Sequence, residues 1–134
     1  MFNYSGMERR NICSGSPWES TIGYSRLVKH GQYAFISGTT SIDEKGIVVG
    51  SGNPYLQTKH IIQIIEKSLK KISANLTDVV RTRIYVTNIE EWKSIGRAHA
   101  ESFGDIQPAT TMVEVARLIR PEMLVEMEAD AILK

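Results

Sequence analysis

Strict alternation of side chains in two C-terminal segments constrains the fold more than any other feature of this sequence. Residues 107–116 and 124–133 both read as β-strands, because successive side chains of a strand point to opposite faces of a sheet. Pro108, which has a fixed φ and no N–H to donate, suits the start of the first strand. The second strand places apolar residues on one face and acids on the other, and buried unpaired carboxylates are costly. Its acidic face therefore needs either water or cationic partners; the acids are Glu126, Glu128 and Asp130.

Length and composition limit the classes of protein that fit. A chain of 134 residues predicts a single domain over 1–134, in which residues 1–16 form a variable N-terminal segment. Sixteen Lys plus Arg against fifteen Asp plus Glu give a net charge of +1, which argues against a strongly electrostatic partner such as duplex DNA and leaves a local RNA-binding patch open. Cys13 is the only cysteine, so no intramolecular disulfide can form. No apolar run suits a signal peptide or a membrane span, which predicts a soluble cytoplasmic protein.

Further strands are predicted upstream. Residues 24–30 and 33–37, on either side of a Gly-Gln pair, are predicted to form a hairpin, and residues 8–13 are another candidate strand. Residues 18–22 are expected to be a loop. Residues 79–87 predict a strand with an apolar and a basic face. The apolar face would carry Val80, Thr82, Ile84 and Val86, and the other face Arg81, Arg83 and Tyr85.

Two amphipathic helices are predicted between these strands. An Asn-Pro pair at 53–54 is typical of a helix start, and apolar residues then recur every three or four positions to about residue 74. Asn75 is expected to close this helix in the left-handed conformation. Asn88, with Glu91 three positions later, favours a second helix over 89–103. That helix presents Trp92, Ile95, His99 and Phe103 on one side.

This pattern predicts an α+β fold in which two helices cover the apolar face of a mixed sheet. The opposite face is either wetted by solvent in a monomer or buried as a subunit interface with ion pairs across strands. The polar residues predicted on that face are Arg81, Arg83, Glu114, Glu126, Glu128 and Asp130.

Two C-terminal motifs resemble a known family. Residues 108–118, Pro-Ala-Thr-Thr-Met-Val-Glu-Val-Ala-Arg-Leu, and residues 125–129, Val-Glu-Met-Glu-Ala, resemble the signature of the RidA/YjgF reactive-intermediate deaminases, also called endoribonuclease L-PSP proteins. The likeness extends to Gly-Tyr-Ser-Arg at 23–26 and Phe-Ile-Ser-Gly-Thr at 35–39. It implies a chorismate-mutase-like sheet with two helices on one face. It also implies a homotrimer with small-molecule clefts between neighbouring subunits.

The resemblance also assigns candidate site residues. Deaminases of this family hydrolyse 2-enamines and 2-imines, which requires a cation for the substrate carboxylate and a group that positions water. Glu126 matches the water-positioning glutamate and is the candidate catalytic residue. The matching ligand-binding positions are Tyr24, Ser37 and Gly38, with Thr39 beside them and Met112 where a cysteine is common.

The sequence departs from the family at the position of the carboxylate-binding arginine, where it has Thr110. A threonine hydroxyl supplies neither the charge nor the paired donors of a guanidinium. Arg26 projects to the same side of an extended segment as Tyr24 and is the first candidate to replace the missing cation. The alternatives are that Arg26 is an ordinary ion-pair partner and that Glu126 pairs with an arginine across a subunit interface.

Three functions follow as hypotheses. The first is a hydrolase for a small imine or enamine that lacks the usual α-carboxylate, and the second is a non-catalytic trimer that binds or senses a small molecule. A ribonuclease has the least support, because the sequence offers no suitable His pair and no aromatic-basic stripe for stacking bases. No cofactor is implied. No metal is expected either, since His30, His60 and His99 lack metal-ligand spacing.

Overall fold

A single mixed sheet organises the computed structural model, which describes residues 8–134. Its strands are β1 (Arg9–Ile12), β2 (Leu27–His30), β3 (Tyr33–Thr40), β4 (Val79–Val86), β5 (Ala109–Glu114) and β6 (Val125–Ile132). They lie in the order β1-β2-β3-β6-β4-β5. Neighbouring strands are antiparallel except β4 and β5, which are parallel. The predicted α+β sheet and the candidate strand near residues 8–13 are confirmed.

Helices cover one face of this sheet. The chain has helices α1 (Pro17–Ile22), α2 (Pro54–Lys70) and α3 (Trp92–Phe103), of which α2 and α3 form this layer, and 3₁₀ turns at Leu76–Asp78 and Ile89–Glu91. The start of α2 is as predicted, because the Asn53 side chain accepts a hydrogen bond from the Leu56 N–H at 3.0 Å and Pro54 occupies the first turn. Helices α2 and α3 pack against each other, and α2 packs on β3 and β6. The core between them includes Ile61, Ile65, Leu69, Ile84, Ile95, Phe103 and Met127.

Two predictions about the helices are wrong. Residues 18–22 belong to α1 rather than to a loop, because the Ser16 hydroxyl accepts a hydrogen bond from the Trp18 N–H at 3.3 Å and Pro17 occupies the first helical position. Helix α2 ends at Lys70, earlier than predicted. The left-handed residue after it is Ser73, with φ 59°, whereas Asn75 has φ −135° and begins the next turn.

Three strand predictions also need correction. Glu114 lies on the helix-covered face rather than on the open face, because it pairs with buried Val86 and accepts a hydrogen bond from the Ile89 N–H at 3.1 Å. Strand β2 begins at Leu27 rather than at residue 24, so Tyr24 and Arg26 lie in the connection that leads into it. In β4 the pairing with β6 shifts between Val79 and Arg81, and this irregularity buries Val79 instead of Val80. A one-residue irregularity reverses which side chain faces the core, which a pattern of strict alternation does not reveal.

The face of the sheet away from the helices is open within residues 8–134. The predicted alternation of β6 is confirmed, since its acids lie on this face and its apolar residues are buried under the helices. Arg83 Nη1 lies 3.3 Å from Glu128 Oε1 and 3.2 Å from Asp130 Oδ2. Large exposed apolar side chains flank these ion pairs; they are Tyr33, Phe35, Val113 and Ile132. None of the helices described for residues 8–134 combines the length and apolar character needed to cross a bilayer.

Candidate functional site

A bulge in β3 brings together the first group of candidate site residues. The register between β3 and β6 shifts between Ile36 and Thr39, so Ser37 and Gly38 interrupt the regular pairing. The Ser37 hydroxyl donates to the Ser25 carbonyl at 2.6 Å, and the buried Thr39 hydroxyl donates to the Ser37 carbonyl at 2.8 Å. Bulges change the direction of side chains and are common beside functional sites. Here the Ser37 and Thr39 hydroxyls hold the shape of the bulge.

Gly38 leaves room for a carboxylate. A Cβ atom added at this position would lie 2.7 Å from Glu126 Oε1 and 3.1 Å from Glu126 Cδ. The 2.7 Å separation is shorter than a stable nonbonded contact, so a side chain at position 38 would require the Glu126 carboxylate to move. The family-like Ser-Gly step therefore has a direct physical link to the candidate catalytic residue.

Arg26 connects the same bulge to Tyr24. Its Nη2 donates to the Gly38 carbonyl at 2.6 Å, and its Cζ lies 5.7 Å from the centre of the Tyr24 ring. Its Nε is buried and has no hydrogen-bond partner among residues 8–134. Burial lowers the pKa of Arg26, while Tyr24, Glu19 and Glu126 oppose that shift. Arginine remains charged even so, and Arg26 is a fixed positive charge behind Glu126.

Glu126 is a half-buried carboxyl with charged neighbours. Burial raises the pKa of its carboxyl, and the nearby charge of Glu128 raises it further, whereas Arg26 lowers it. Arg83 pairs with Glu128 and Asp130, and within residues 8–134 Glu126 makes no ion pair. An ion pair between Glu126 and Arg81 or Arg83 across a subunit interface stays a prediction.

Thr110 and Met112 lie in a second group, on the edge strand β5. Pairing of Thr110 with Thr82 and of Met112 with Ile84 places both side chains on the helix-covered face, and Met112 packs partly against the core. Strands β6 and β4 separate β5 from β3. At about 4.8 Å per strand, β5 lies roughly 14 Å from β3 and roughly 10 Å from β6, whose Glu126 is on the opposite face of the sheet. One chain does not bring all the candidate residues together.

A chain of hydrogen bonds surrounds Thr110. Its Oγ1 lies 2.8 Å from Thr82 Oγ1 and donates to the Pro108 carbonyl at 3.2 Å. Thr82 Oγ1 lies 2.9 Å from His99 Nε2. Sequence reasoning assigned no role to Thr82 or His99, although each is a polar residue at an apolar position of its strand or helix. That contrast was the available signal.

Glu19 is a further polar residue that the sequence analysis missed. It is buried in α1 and accepts hydrogen bonds from the Ser14 backbone N–H at 2.9 Å and from the Ser14 hydroxyl. With Tyr24 and Ser25 it lines an open pocket of about 470 Å³. Neither Gly38 nor Glu126 lines that pocket. Among residues 8–134, no three His, Cys, Asp or Glu side chains are grouped so that they could hold a metal ion.

The fold and this arrangement define an α+β protein of the endoribonuclease L-PSP type, whose family model matches residues 16–133. The chain belongs to this family, known also as the RidA/YjgF family. A crystal structure of a YjgF/YER057c/UK114 family member from Mycobacterium tuberculosis is 44% identical, with a TM-score of 0.85. The match covers 94% of this chain and 100% of that one.

Two curated relatives give the same family likeness. An uncharacterized protein of Streptomyces coelicolor is 34% identical over 123 residues, covering 91% of this chain and 90% of the relative. The 3-aminoacrylate deaminase RutC of Acinetobacter baylyi is 29% identical over 108 residues, covering 81% of this chain and 85% of the relative. The predicted family membership is confirmed.

Proposed function

We propose that this chain forms a homotrimer with a small-molecule cleft between subunits, and that the cleft hydrolyses a small imine or enamine. The packing of Glu126 against Gly38, in front of Arg26, is the observation that carries the proposal. This half of the site matches the family pattern residue by residue. The relative named as a 3-aminoacrylate deaminase lends further support, because 3-aminoacrylate is itself an enamine.

The chemistry required is the addition of water to a C=N bond. The water oxygen forms a bond to carbon, the C–N bond breaks, and a carbonyl compound and ammonia leave. A carboxylate can take a proton from the attacking water and return one to the departing nitrogen, and it does so best when its pKa is near the working pH. Burial raises the pKa of Glu126 in that direction.

The separation of the two residue groups and the open sheet face support the trimer. The group around Glu126 and the group around Thr110 can form one cleft only if neighbouring subunits bring them together. The open face combines exposed apolar side chains with cross-strand ion pairs, and contiguous exposed apolar area commonly marks an interface. Light scattering after gel filtration should give about three times the 15.0 kDa of one chain. A monomer mass would overturn the trimer.

Thr110 argues for a substrate other than the usual 2-imino acids. A substrate carboxylate gains strongly from a guanidinium, which offers charge and paired donors, and a hydroxyl offers neither. Arg26 is the other candidate cation. Since its Nη2 is bonded to Gly38 and its Nε is buried, mainly Nη1 remains for a ligand. These contacts support a role for Arg26 in holding the bulge and balancing Glu126.

The commitment of Thr110 to hydrogen bonds with Thr82 and Pro108 favours a second candidate function. A cleft without its anion anchor can keep a ligand-binding role after losing turnover, and the protein would then be a trimeric binding or sensing protein. The two functions differ in whether Glu126 performs acid–base chemistry on a bound ligand.

Hydrolysis of enzymatically generated 2-iminopropanoate and 2-iminobutanoate by the wild type and by Thr110→Arg tests the proposal. We expect weak or no activity in the wild type and a clear gain in Thr110→Arg, because the water-handling half is intact. Thr110→Lys is the matched control, since it adds charge without the paired donors. Activity in the wild type equal to that of Thr110→Arg would contradict the role given to position 110. Absence of hydrolytic activity in every variant would favour the second candidate function, a non-catalytic binding or sensing protein.

A further inference from the structure

The open pocket beside Tyr24, of about 470 Å³, is separate from the group around Glu126, which does not line it. Strands β1 and β2 and the connection that joins α1 to β2 form its walls. Antiparallel pairing of β1 with β2 places Arg9, Asn11 and Val28 on the same face of the sheet, and all three line the pocket. The volume is in the range that small organic ligands occupy.

Residue types fix the direction of the hydrogen bonds along this wall. Arg9 Nε donates to Asn11 Oδ1 at 3.0 Å, and Asn11 Nδ2 donates to Ser25 Oγ at 2.8 Å. Because a guanidinium never accepts, Asn11 must turn its oxygen to Arg9 and its nitrogen to Ser25. Ser25 Oγ is therefore an acceptor here, and its own proton remains for another partner. Within residues 8–134, that proton and the two terminal nitrogens of Arg9 have no hydrogen-bond partner.

Glu19 is the acid that lines the pocket, and its charge is already compensated. Its carboxylate is buried and accepts hydrogen bonds from the Ser14 backbone N–H at 2.9 Å and from the Ser14 hydroxyl. Arg26 lies close enough for their charges to interact, since burial lowers the pKa of Arg26 whereas Tyr24 and Glu19 oppose that shift. Arg9, by contrast, is exposed and forms no ion pair within residues 8–134. The described part of the chain thus leaves the positive charge of Arg9 without an anionic partner.

We propose that this pocket binds a small organic acid, whose carboxylate pairs with the two terminal nitrogens of Arg9 and accepts a hydrogen bond from the Ser25 hydroxyl. A guanidinium matches a carboxylate with two parallel hydrogen bonds, and the contact of Nε with Asn11 holds the guanidinium in place. Tyr24 and Val28 add apolar surface, which favours an organic acid over inorganic phosphate. The site goes beyond the proposed function, because binding here requires no hydrolysis.

Butyrate and butyramide are suitable probes, because they have nearly the same shape and differ in charge. The side-chain amide of Asn11 and the backbone N–H of Gly23 belong to residues that line this pocket, and both are observed in ¹H–¹⁵N NMR titrations of the full chain. We expect the wild type to bind butyrate about 10-fold or more tightly than butyramide, since hydrogen bonds between charged groups are stronger than neutral ones. Inorganic phosphate should bind more weakly than butyrate, because it gains nothing from the apolar surface.

Substitutions in β1 test the role of Arg9. Arg9 is exposed, so Arg9→Gln should fold, and it should weaken butyrate binding about 10- to 100-fold because the charge and the paired donors are lost. Ser25→Ala should weaken binding about 3- to 10-fold, the range of one hydrogen bond.

Arg10→Gln is the matched control. It removes the same charge from the adjacent position of β1, where the side chain points to the other face and donates to the Lys71 carbonyl at 3.3 Å. Butyrate affinity should stay within about 2-fold of wild type, because an exposed charge that does not contact the ligand contributes little.

Equal affinities for butyrate and butyramide, or equal losses in Arg9→Gln and Arg10→Gln, would overturn the pairing of a carboxylate with Arg9. Phosphate binding as tight as that of butyrate would overturn the choice of an organic acid. Chemical-shift changes at the Gly38 amide without changes at Asn11 and Gly23 would assign the ligand to the proposed cleft and overturn this pocket. Absence of butyrate binding would overturn it as well.

Discussion

Substitution of Gly38 by alanine tests the link between the β3 bulge and Glu126. The added Cβ would lie 2.7 Å from Glu126 Oε1, well inside the roughly 3.5 Å at which nonbonded atoms attract. The φ of Gly38 is not in the left-handed region, so alanine can adopt its backbone conformation. The nearest atoms belong to the end of a flexible side chain, and the clash is therefore relieved by rotation of Glu126. We expect a loss of only about 0.5–1.5 kcal/mol of unfolding free energy.

The carboxyl pKa provides the assay, because it reports the position of Glu126 whether or not a substrate is known. Rotation out of the bulge exposes the Glu126 carboxyl to water and so removes the burial that raises its pKa. Carbon-detected NMR should therefore show a lower Glu126 pKa in Gly38→Ala than in the wild type. Any hydrolytic activity that depends on this carboxyl should fall by about 10²-fold or more, the usual contribution of a positioned acid or base.

Gly96→Ala is the matched control. Gly96 lies inside α3, and an added Cβ there would meet no atom within 4 Å. Alanine at this helical position should stabilise the protein by about 0.5–1 kcal/mol and leave the Glu126 pKa unchanged. An unaltered Glu126 pKa in Gly38→Ala would refute the reasoning. So would a stability loss above about 3 kcal/mol, since it would mean that the backbone rather than the carboxylate had to move.

Three further predictions concern Glu126, Arg26 and Gln57. Because the folded-state pKa of Glu126 is raised, its contribution to stability declines as the pH rises from the unfolded-state pKa to the folded-state pKa. Glu126→Gln should remove that decline, so that at pH values above the folded-state pKa the variant unfolds at a higher denaturant concentration than the wild type. The same pH dependence of stability in both proteins would contradict this prediction. Arg26→Ala should raise the Glu126 pKa further, because a nearby positive charge is removed. It should also lower the unfolding free energy by about 1–3 kcal/mol, because the Gly38 carbonyl loses its hydrogen-bond donor. Unchanged affinity for carboxylate ligands in this variant would exclude Arg26 as the cation that binds them. Gln57→Leu should lower the unfolding free energy measured with denaturant by at least about 3 kcal/mol. The buried Gln57 side chain donates hydrogen bonds to the Gly50 and Glu122 carbonyls and accepts one from the Leu124 N–H. A loss below about 1 kcal/mol would show that water replaces these hydrogen bonds.

Periodic patterns predicted the regular elements well. The alternation in β6 placed its acids on the open face because one side of that strand is buried along its whole length. Asn53 and Pro54 marked the start of α2, since an N-cap depends on residues close in sequence. Such patterns depend only on residues close in sequence, so tertiary contacts do not alter what they predict.

The details that shape the site were not predictable in this way. The bulge at Ser37 and Gly38, and the irregularity that buries Val79, depend on the register with β6, a strand far along the chain. The hydrogen bond of Thr110 to Thr82 likewise arises only when β4 and β5 pair in parallel. Residue types suggested a family and its site positions, whereas the contacts that give those residues their chemistry come from tertiary pairing.

Thr110 differs from an arginine in more than the loss of a positive charge. Its hydroxyl is the outer member of a chain that also satisfies the buried Thr82, and an arginine at this position could not make that hydrogen bond with a hydroxyl. Replacing Thr110 by arginine would therefore add a carboxylate clamp and leave Thr82 with His99 alone. Position 110 can hold either an arginine or the threonine that completes these hydrogen bonds. Thr82 on β4 and His99 on α3 are the partners that a threonine there requires. Under the proposed function, we therefore expect Thr110→Arg to lower the unfolding free energy of the protein even where it adds activity on 2-imino acids.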